Sequence, residues 1–200
     1  KKIEKFKKKI KSKKQSFHKS INKEVVLETK NKDAFFSGKN VLGFIEGTDK
    51  KEEIIVITAH YDHLGKHEDK IYNGADDDGS GTVAALEIAE AFMIAKKEGH
   101  GPRRSVLVMT VSGEEKGLLG SKYYTDNPIY PLEKTIANLN IDMIGRIDDW
   151  HQNGNYVYLI GSDMLSQELH DISEEVNTKH IGIELDYTFN TEDDPNRYYY

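Results

Sequence analysis

From Asn40 onward, short apolar runs rich in β-branched residues alternate with longer stretches in which apolar residues return at helical spacing. The first rhythm belongs to strands and the second to helices. Val41-Leu-Gly-Phe-Ile45 and Ile54-Ile-Val-Ile-Thr58 predict two strands, and Gly47-Thr-Asp-Lys50 between them predicts a hairpin turn. Gly81–Lys97 predicts a helix, with Val83, Ala84, Leu86, Ala91 and Ile94 among helix formers and Gly99 to end it. Ser105–Val111, Ile136–Ile141 and Tyr156–Ile160 predict buried strands. Gly117–Thr125 and Asp163–Lys179 predict helices, the second with Leu165, Leu169, Ile172 and Val176 on one stripe. Strands alternating with helices imply an α/β fold: a doubly wound, mostly parallel or mixed sheet with helices on both faces. Residues 1–39 read as a Lys-rich connector that includes an edge strand, Glu24-Val-Val-Leu-Glu-Thr29. Residues 40–200 read as one domain without internal repeats. Tyr187, Phe189 and the tyrosines at 198–200 have no obvious partners in this pattern, so further chain is expected beyond Tyr200.

Composition narrows the function classes. Two hundred residues with 37% hydrophobic content suit one soluble domain with a buried core. The absence of cysteine excludes disulfides and thiolate–metal sites. No apolar run reaches membrane-spanning length, and the opening lysines are not followed by the apolar core of a signal peptide. The charge is uneven: residues 1–23 carry eleven Lys and one Glu, a net +10, which leaves −16 for the rest of a chain whose total is −6. Phe6, Ile10 and Phe17 sit among those lysines like the thin apolar side of a solvated helix or linker, and no basic-aromatic platform follows. The acidic body argues against a nucleic-acid partner and favours cationic groups such as a free peptide amino terminus. No oligomeric state is legible.

The acidic positions fall where predicted strands end, and open α/β sheets gather ligands beyond the carboxyl ends of their strands. His60 directly follows the run Ile54–Ala59, and Asp62 is placed to accept its second ring N–H and fix the tautomer. Asp76-Asp-Asp78 is framed by Gly74, Gly79 and Gly81. Three successive carboxylates repel one another unless a cation neutralises them; an acidic cap for the following helix is the plainer alternative. Glu114-Glu115 follows the strand 105–111 across Ser112-Gly113. Such a pair can divide into a metal ligand and a general base, or can be a charge pair at a helix N-terminus. Asp142 ends the strand Ile136–Ile141. The wide spacing of His60, Asp77, Glu115 and Asp142 excludes a local motif such as a zinc finger or an EF-hand. A mixed nitrogen and oxygen set points to zinc ahead of calcium, magnesium, manganese or cobalt.

His60-Tyr-Asp-His-Leu-Gly65, Asn73-Gly-Ala-Asp-Asp-Asp-Gly-Ser-Gly-Thr82, Glu114-Glu-Lys-Gly-Leu-Leu-Gly-Ser121 and Asn140-Ile-Asp-Met-Ile-Gly145 together resemble the M28 family of zinc aminopeptidases. The resemblance runs from about Asn40 to Arg146 and is weaker onward to Tyr200. It implies a three-layer zinc-exopeptidase sandwich over 40–200, incomplete at its C-terminus, that hydrolyses the N-terminal peptide bond by means of a water between two zinc ions. It also implies residue roles. His60 and Asp142 would hold the first zinc, Asp77 would bridge both, and Glu115 would hold the second. Glu114 would be the general base, Asp62 would orient His60, and the Asp77–Asp78 peptide would be cis. Family members place a further histidine on the second zinc, from a Tyr-His element near the C-terminus. None of His18, His63, His67, His100, His151, His170 and His180 stands in such an element, and His170 and His180 read as surface residues. The second site is therefore expected to be incomplete in this chain. Secretion or a periplasmic location would follow from the resemblance alone. Two rival readings are a glutaminyl-cyclase-like single-zinc enzyme and a metal-free relative that has lost catalysis.

Overall fold

The computed structural model describes residues 2–13, 26–30 and 37–191. The chain divides into two units, Lys1–Phe36 and Ser37–Tyr200. In the first, Lys2–Lys13 forms helix α1, where Ile3 and Ile10 remain 72% and 41% exposed. The strand expected over Glu24–Thr29 is not formed in its described part: residues 26–30 are without regular structure, and Val26 and Leu27 are exposed. Residues 24 and 25 and Phe17 lie outside the described residues.

The second unit runs β1 (Val41–Ile45), β2 (Lys50–His60), the small hairpin β3 (Gly65–His67) and β4 (Lys70–Tyr72), then helix α2 (Gly79–Lys97) and β5 (Arg104–Val111). Helix α3 (Leu119–Asp126), β6 (Thr135–Asn140), β7 (Tyr156–Tyr158), α4 (Ser162–Leu165), α5 (Gln167–Val176) and β8 (Glu184–Asp186) follow. The main sheet has the order β1-β5-β2-β6, with β1 antiparallel to β5 and with β5 and β6 both parallel to β2. The expectation of a mixed α/β sheet between helices holds.

The sheet is built around the most apolar strands. Along β5, Val106 and Val108 face one way and Leu107, Met109 and Val111 the other, and all are buried. The first set joins Ile45, Ile57, Ala59 and Ala85, with Ile88, Ala89 and Phe92 of α2 packed against them. The second joins Ile54, Val56 and Tyr124 of α3. One helix thus covers each face, as the strand alternation requires. Leu107 has no solvent exposure. Leu107→Ala is expected to cost about 2–5 kcal/mol of unfolding free energy. Val83→Ala, at a position 58% exposed on α2, should stay within about 0.5 kcal/mol. Urea melts of the two variants compare them directly.

Four expectations require correction. The predicted hairpin between β1 and β2 does not exist, because β5 inserts between them and pairs with both. A strand buried on both faces and donating along both edges is satisfied only in the interior of a sheet. The strand at β6 is an edge, with Ile136 and Leu139 50% and 45% exposed. The run at 156–160 leaves the main sheet and forms β7, which pairs in parallel with β8. The helix expected over Asp163–Lys179 breaks at Ser166, whose hydroxyl accepts the Leu169 N–H and caps α5.

The segment after Asp142 has polar anchors of its own. Asp148 accepts the Trp150 and His151 backbone N–H groups at 2.9 and 3.0 Å and the Tyr158 hydroxyl. His151 is held between Asp148 and Asp186, at 2.8 and 3.2 Å, and stacks on Tyr156. Phe189 packs against Tyr158 and Trp150, and the Tyr187 hydroxyl donates to Glu174, so both residues have the partners the sequence did not reveal. His170 is half-buried and within 3.0 Å of the Ser162 hydroxyl, not on the open surface as expected. The tyrosines at 198–200 lie outside the described residues.

The hydrogen bond that His151 donates to Asp148 lifts the His151 pKa above its ordinary value against desolvation, with Asp186 and Glu184 adding to the effect. Desolvation would raise Asp148, but the Tyr158 hydroxyl and His151 outweigh it and hold that carboxyl well below the usual range. A raised histidine stabilises the fold below its unfolded pKa of about 6.5 and loses that contribution as pH rises through the folded value. A depressed carboxyl stabilises above about 3.9 and loses its contribution at lower pH. Protection of the β7 and β8 amides from hydrogen exchange, corrected for intrinsic rate, should therefore be greater near pH 6 than near pH 9. His151→Ala should abolish the difference.

Candidate metal centre

Parallel strands β2, β5 and β6 deliver the candidate residues to one edge. His60 is the last residue of β2, Glu114-Glu115 occupy a 3-10 turn three residues beyond β5, and Asp142 lies two residues beyond β6. The Asp76–Asp78 turn enters at the same edge because Asp78 begins α2. His60 Nε2 lies 3.1 Å from Asp77 Oδ1, 3.6 Å from Asp142 Oδ2 and 3.8 Å from Glu114 Oε2. Glu115 Oε1 lies 2.7 Å from His63 Nδ1, which in turn is 3.7 Å from Asp77 Oδ1. All six residues named from sequence, His60, Asp62, Asp77, Glu114, Glu115 and Asp142, converge here.

The three successive aspartates have three different tasks. Asp76 Oδ1 accepts the Gly145 N–H at 2.7 Å and the Ser80 hydroxyl, pinning the loop after Asp142 to the start of α2. Asp78 is 1% exposed, and both its oxygens are engaged by backbone N–H groups, of His60 at 3.0 Å, Gly81 at 3.0 Å and Met143 at 3.3 Å. It is the N-cap of α2 and the tie between three segments of the site. His60, Asp78 and Asp142 could geometrically share an ion. Its backbone commitments nevertheless make Asp78 the scaffold and leave Asp77, whose oxygen approaches both histidines, as the ligand candidate. The Asp77–Asp78 peptide is cis, as expected.

Asp62 orients His60 differently from the sequence expectation. His60 Nδ1 meets the Asp62 backbone carbonyl at 2.9 Å, while the carboxylate stays 3.8 Å away and accepts the Glu114 N–H at 3.1 Å. A carbonyl only accepts, so Nδ1 carries the ring proton and Nε2 turns its lone pair to the carboxylates. The Asp62 carboxylate is occupied in positioning the Glu114 turn. The Thr82 hydroxyl completes the frame by donating to the His60 carbonyl at 2.7 Å.

His63 is the residue that sequence reasoning passed over. It sits three residues after His60, 18% exposed, against Glu115, which is 15% exposed. Its room is made by Gly74, where φ is +68° and an added Cβ would lie 2.8 Å from His63 Cβ. The available signal was the repeat of histidine within a single turn after a strand.

The charge balance is unfavourable to the bare site. Among the described residues, the ion pairs recorded for Asp77, Glu114, Glu115 and Asp142 are with His60 and His63 alone. Asp142 keeps 40% of its side chain exposed, yet desolvation and then the Asp78 charge push its pKa to about 6. Burial likewise raises Glu114, and raises Asp78 despite its three N–H donors. Burial would lower His60, but Asp142, the Asp62 carbonyl and Glu114 outweigh it and hold the pKa up. Asp142, Glu114 and Asp78 are displaced upward first by burial, and His60 by its acidic neighbours, as befits a site short of positive charge. His63 Nδ1 and Glu115 Oε1 are both buried and make no hydrogen bond. Buried polar atoms normally find partners, and these two, with Asp77, form a set that could hold a cation. Imidazole with carboxylates fits zinc.

The model of peptidase family M28 matches residues 40–194. The chain belongs to that family. Relatives of this M28 chain include the vacuolar membrane protease of Aspergillus niger, 32% identical over 127 residues that make up 56% of this chain and 12% of that protein. Aminopeptidase NAALADL1 of Mus musculus is 33% identical over 122 residues, 60% of this chain and 15% of its own length. The chain thus spans a small part of these curated relatives. Among solved structures, the zinc aminopeptidase BSAP of Bacillus subtilis superposes with a TM-score of 0.55 at 29% identity, over 70% of this chain and 32% of its own. LapB of Legionella pneumophila gives 0.57 at 27%, over 74% and 37%. These neighbours carry the fold expectation as well. Among the described residues, no helix of the M28 chain is long and apolar enough to cross a membrane.

Proposed function

We propose that this M28 chain carries the centre of a zinc-dependent aminopeptidase that removes the N-terminal residue of peptides. The observation that supports this most is the convergence of His60, Asp77, Glu114, Glu115 and Asp142 beyond the ends of three parallel strands, with no lysine or arginine paired to any of these carboxylates among the described residues. His60 and Asp142 would hold one zinc, Glu115 a second, and Asp77 both. Zinc so held supplies an activated water and polarises the scissile carbonyl.

The protein groups do the rest. Glu114, raised by burial, takes a proton from the attacking water and passes it to the departing amine nitrogen. Asp62 fixes the turn that carries Glu114, through the Glu114 N–H, and fixes the tautomer of His60 through its carbonyl. The surplus of carboxylates receives the ammonium of an unblocked peptide.

The test offers the zinc-loaded protein a peptide with a free amino terminus, its N-acetyl derivative and a peptide beginning with glutamine. Release of the first residue from the free peptide, at least about 100-fold slower from the acetylated one, is expected from loss of one charged contact and its orienting effect. Release of the last residue, or cyclisation of the glutamine without hydrolysis, would replace this reading.

A further inference from the structure

We propose that His63 is a metal ligand, binding the second zinc through Nδ1 beside Glu115 and Asp77. The inference rests on the metallopeptidase reading and adds a nitrogen ligand from within the described residues to the second site.

The close approach of His63 Nδ1 to Glu115 Oε1, 2.7 Å, would ordinarily be a short hydrogen bond. It is not one: neither atom has a hydrogen-bond partner, though both are buried. A carboxylate oxygen only accepts, and the outward axis of the ring nitrogen runs off the line to Oε1, so neither atom has a partner aimed at it. Two buried polar atoms held this close and left unsatisfied cost free energy unless a cation lies against both. Asp77 Oδ1, 3.7 Å from the same nitrogen, completes a three-residue set. Three protein ligands leave a position open for water or substrate, as catalytic zinc requires.

The surroundings are built to this orientation. The left-handed glycine at 74 leaves the space that His63 Cβ occupies, and the Tyr72 ring stands edge-on to the imidazole at 6.3 Å between centroids. The turn His60-Tyr-Asp-His63 is itself pinned twice, by His60 Nδ1 on the Asp62 carbonyl and by the Glu114 N–H on the Asp62 carboxylate. One strand end therefore aims one imidazole at each cluster: His60 by Nε2 and His63 by Nδ1.

Zinc stoichiometry and affinity, measured by elemental mass spectrometry and chelator competition, test this on the full protein and on His63→Ala and Asp142→Ala. The unmodified protein should hold two equivalents. His63→Ala should keep one and bind the second at least about 100-fold more weakly, more than loss of an outer-sphere partner would cost. Asp142→Ala should weaken the other. Should His63→Ala fail to fold, the unmodified protein still decides the matter. Imidazole nitrogen NMR during zinc titration should move His63 at Nδ1 and His60 at Nε2. Two equivalents with unchanged affinity in His63→Ala, or a His63 Nδ1 signal that zinc does not move, would overturn the inference and leave the metallopeptidase reading intact. No zinc in the unmodified protein would overturn both.

Discussion

Glu114→Gln should lower peptide hydrolysis by about 10²–10⁴-fold while two zinc ions stay bound. The substitution keeps the shape of the side chain and its backbone, whose N–H holds Asp62 at 3.1 Å. It removes the one property proposed for this residue, the ability to accept a proton. Glu114 Oε2 is 3.8 Å from His60 Nε2, farther than the oxygens of Asp77 and Asp142, as suits a group beside the ions and not on them. The effect should fall on kcat, with KM little changed, because the proton is moved only as the transition state forms. A steady-state comparison at matched zinc content separates this from metal loss. A Glu114→Gln protein that lost half its zinc would make Glu114 a ligand, and one with full activity would remove it from the chemistry.

Asp77→Ala should abolish tight binding at both metal sites, where Asp142→Ala affects one. Asp77 Oδ1 is the oxygen that approaches both imidazoles, at 3.1 Å to His60 and 3.7 Å to His63. Its neighbours cannot replace it. Asp76 is tied to Gly145 and Ser80, and Asp78 to His60, Gly81 and Met143. The metal-free variant should melt no lower than the metal-free parent, since it loses one of several crowded carboxylates. Zinc at 100 times its Kd stabilises a single-site protein by about 2.7 kcal/mol, and this increment should vanish in Asp77→Ala. Elemental analysis and calorimetric melting with and without zinc give both quantities. Retention of one tight equivalent would reassign the bridge.

Much of this was legible because the chemistry sits at punctuation marks in the hydrophobic pattern. A strand that is buried and then stops at His60, or at Ser112-Gly113 before Glu114, announces both the element and the group it delivers. The three-aspartate turn before a helix was visible as an anomaly, since one aspartate caps a helix and three do not help it. How the three divide was not legible: adjacent identical residues differ only in which backbone N–H groups come to meet them, and those arrive from β2, α2 and the segment after β6.

The same limit explains the corrections. The apolar runs at 41–45 and 54–58 look like a hairpin because sequence neighbours often pair, but only β5 has the two buried faces that demand the place between them. His63 was set aside because it stands in no Tyr-His element, and its partner Glu115 is 52 residues away, beyond the reach of any local pattern.

By itself the sequence determined the alternation of strands and helices, the family, and which carboxylates and which histidine stand at strand ends. Those follow from local periodicity and from short motifs, which need no knowledge of distant contacts. Tertiary structure alone decided the order of strands, the separate tasks of Asp76, Asp77 and Asp78, the exchange of carbonyl for carboxylate beneath His60, and the meeting of His63 with Glu115. Each of those depends on which buried polar group finds which partner across the fold, and burial is a property of the assembled chain.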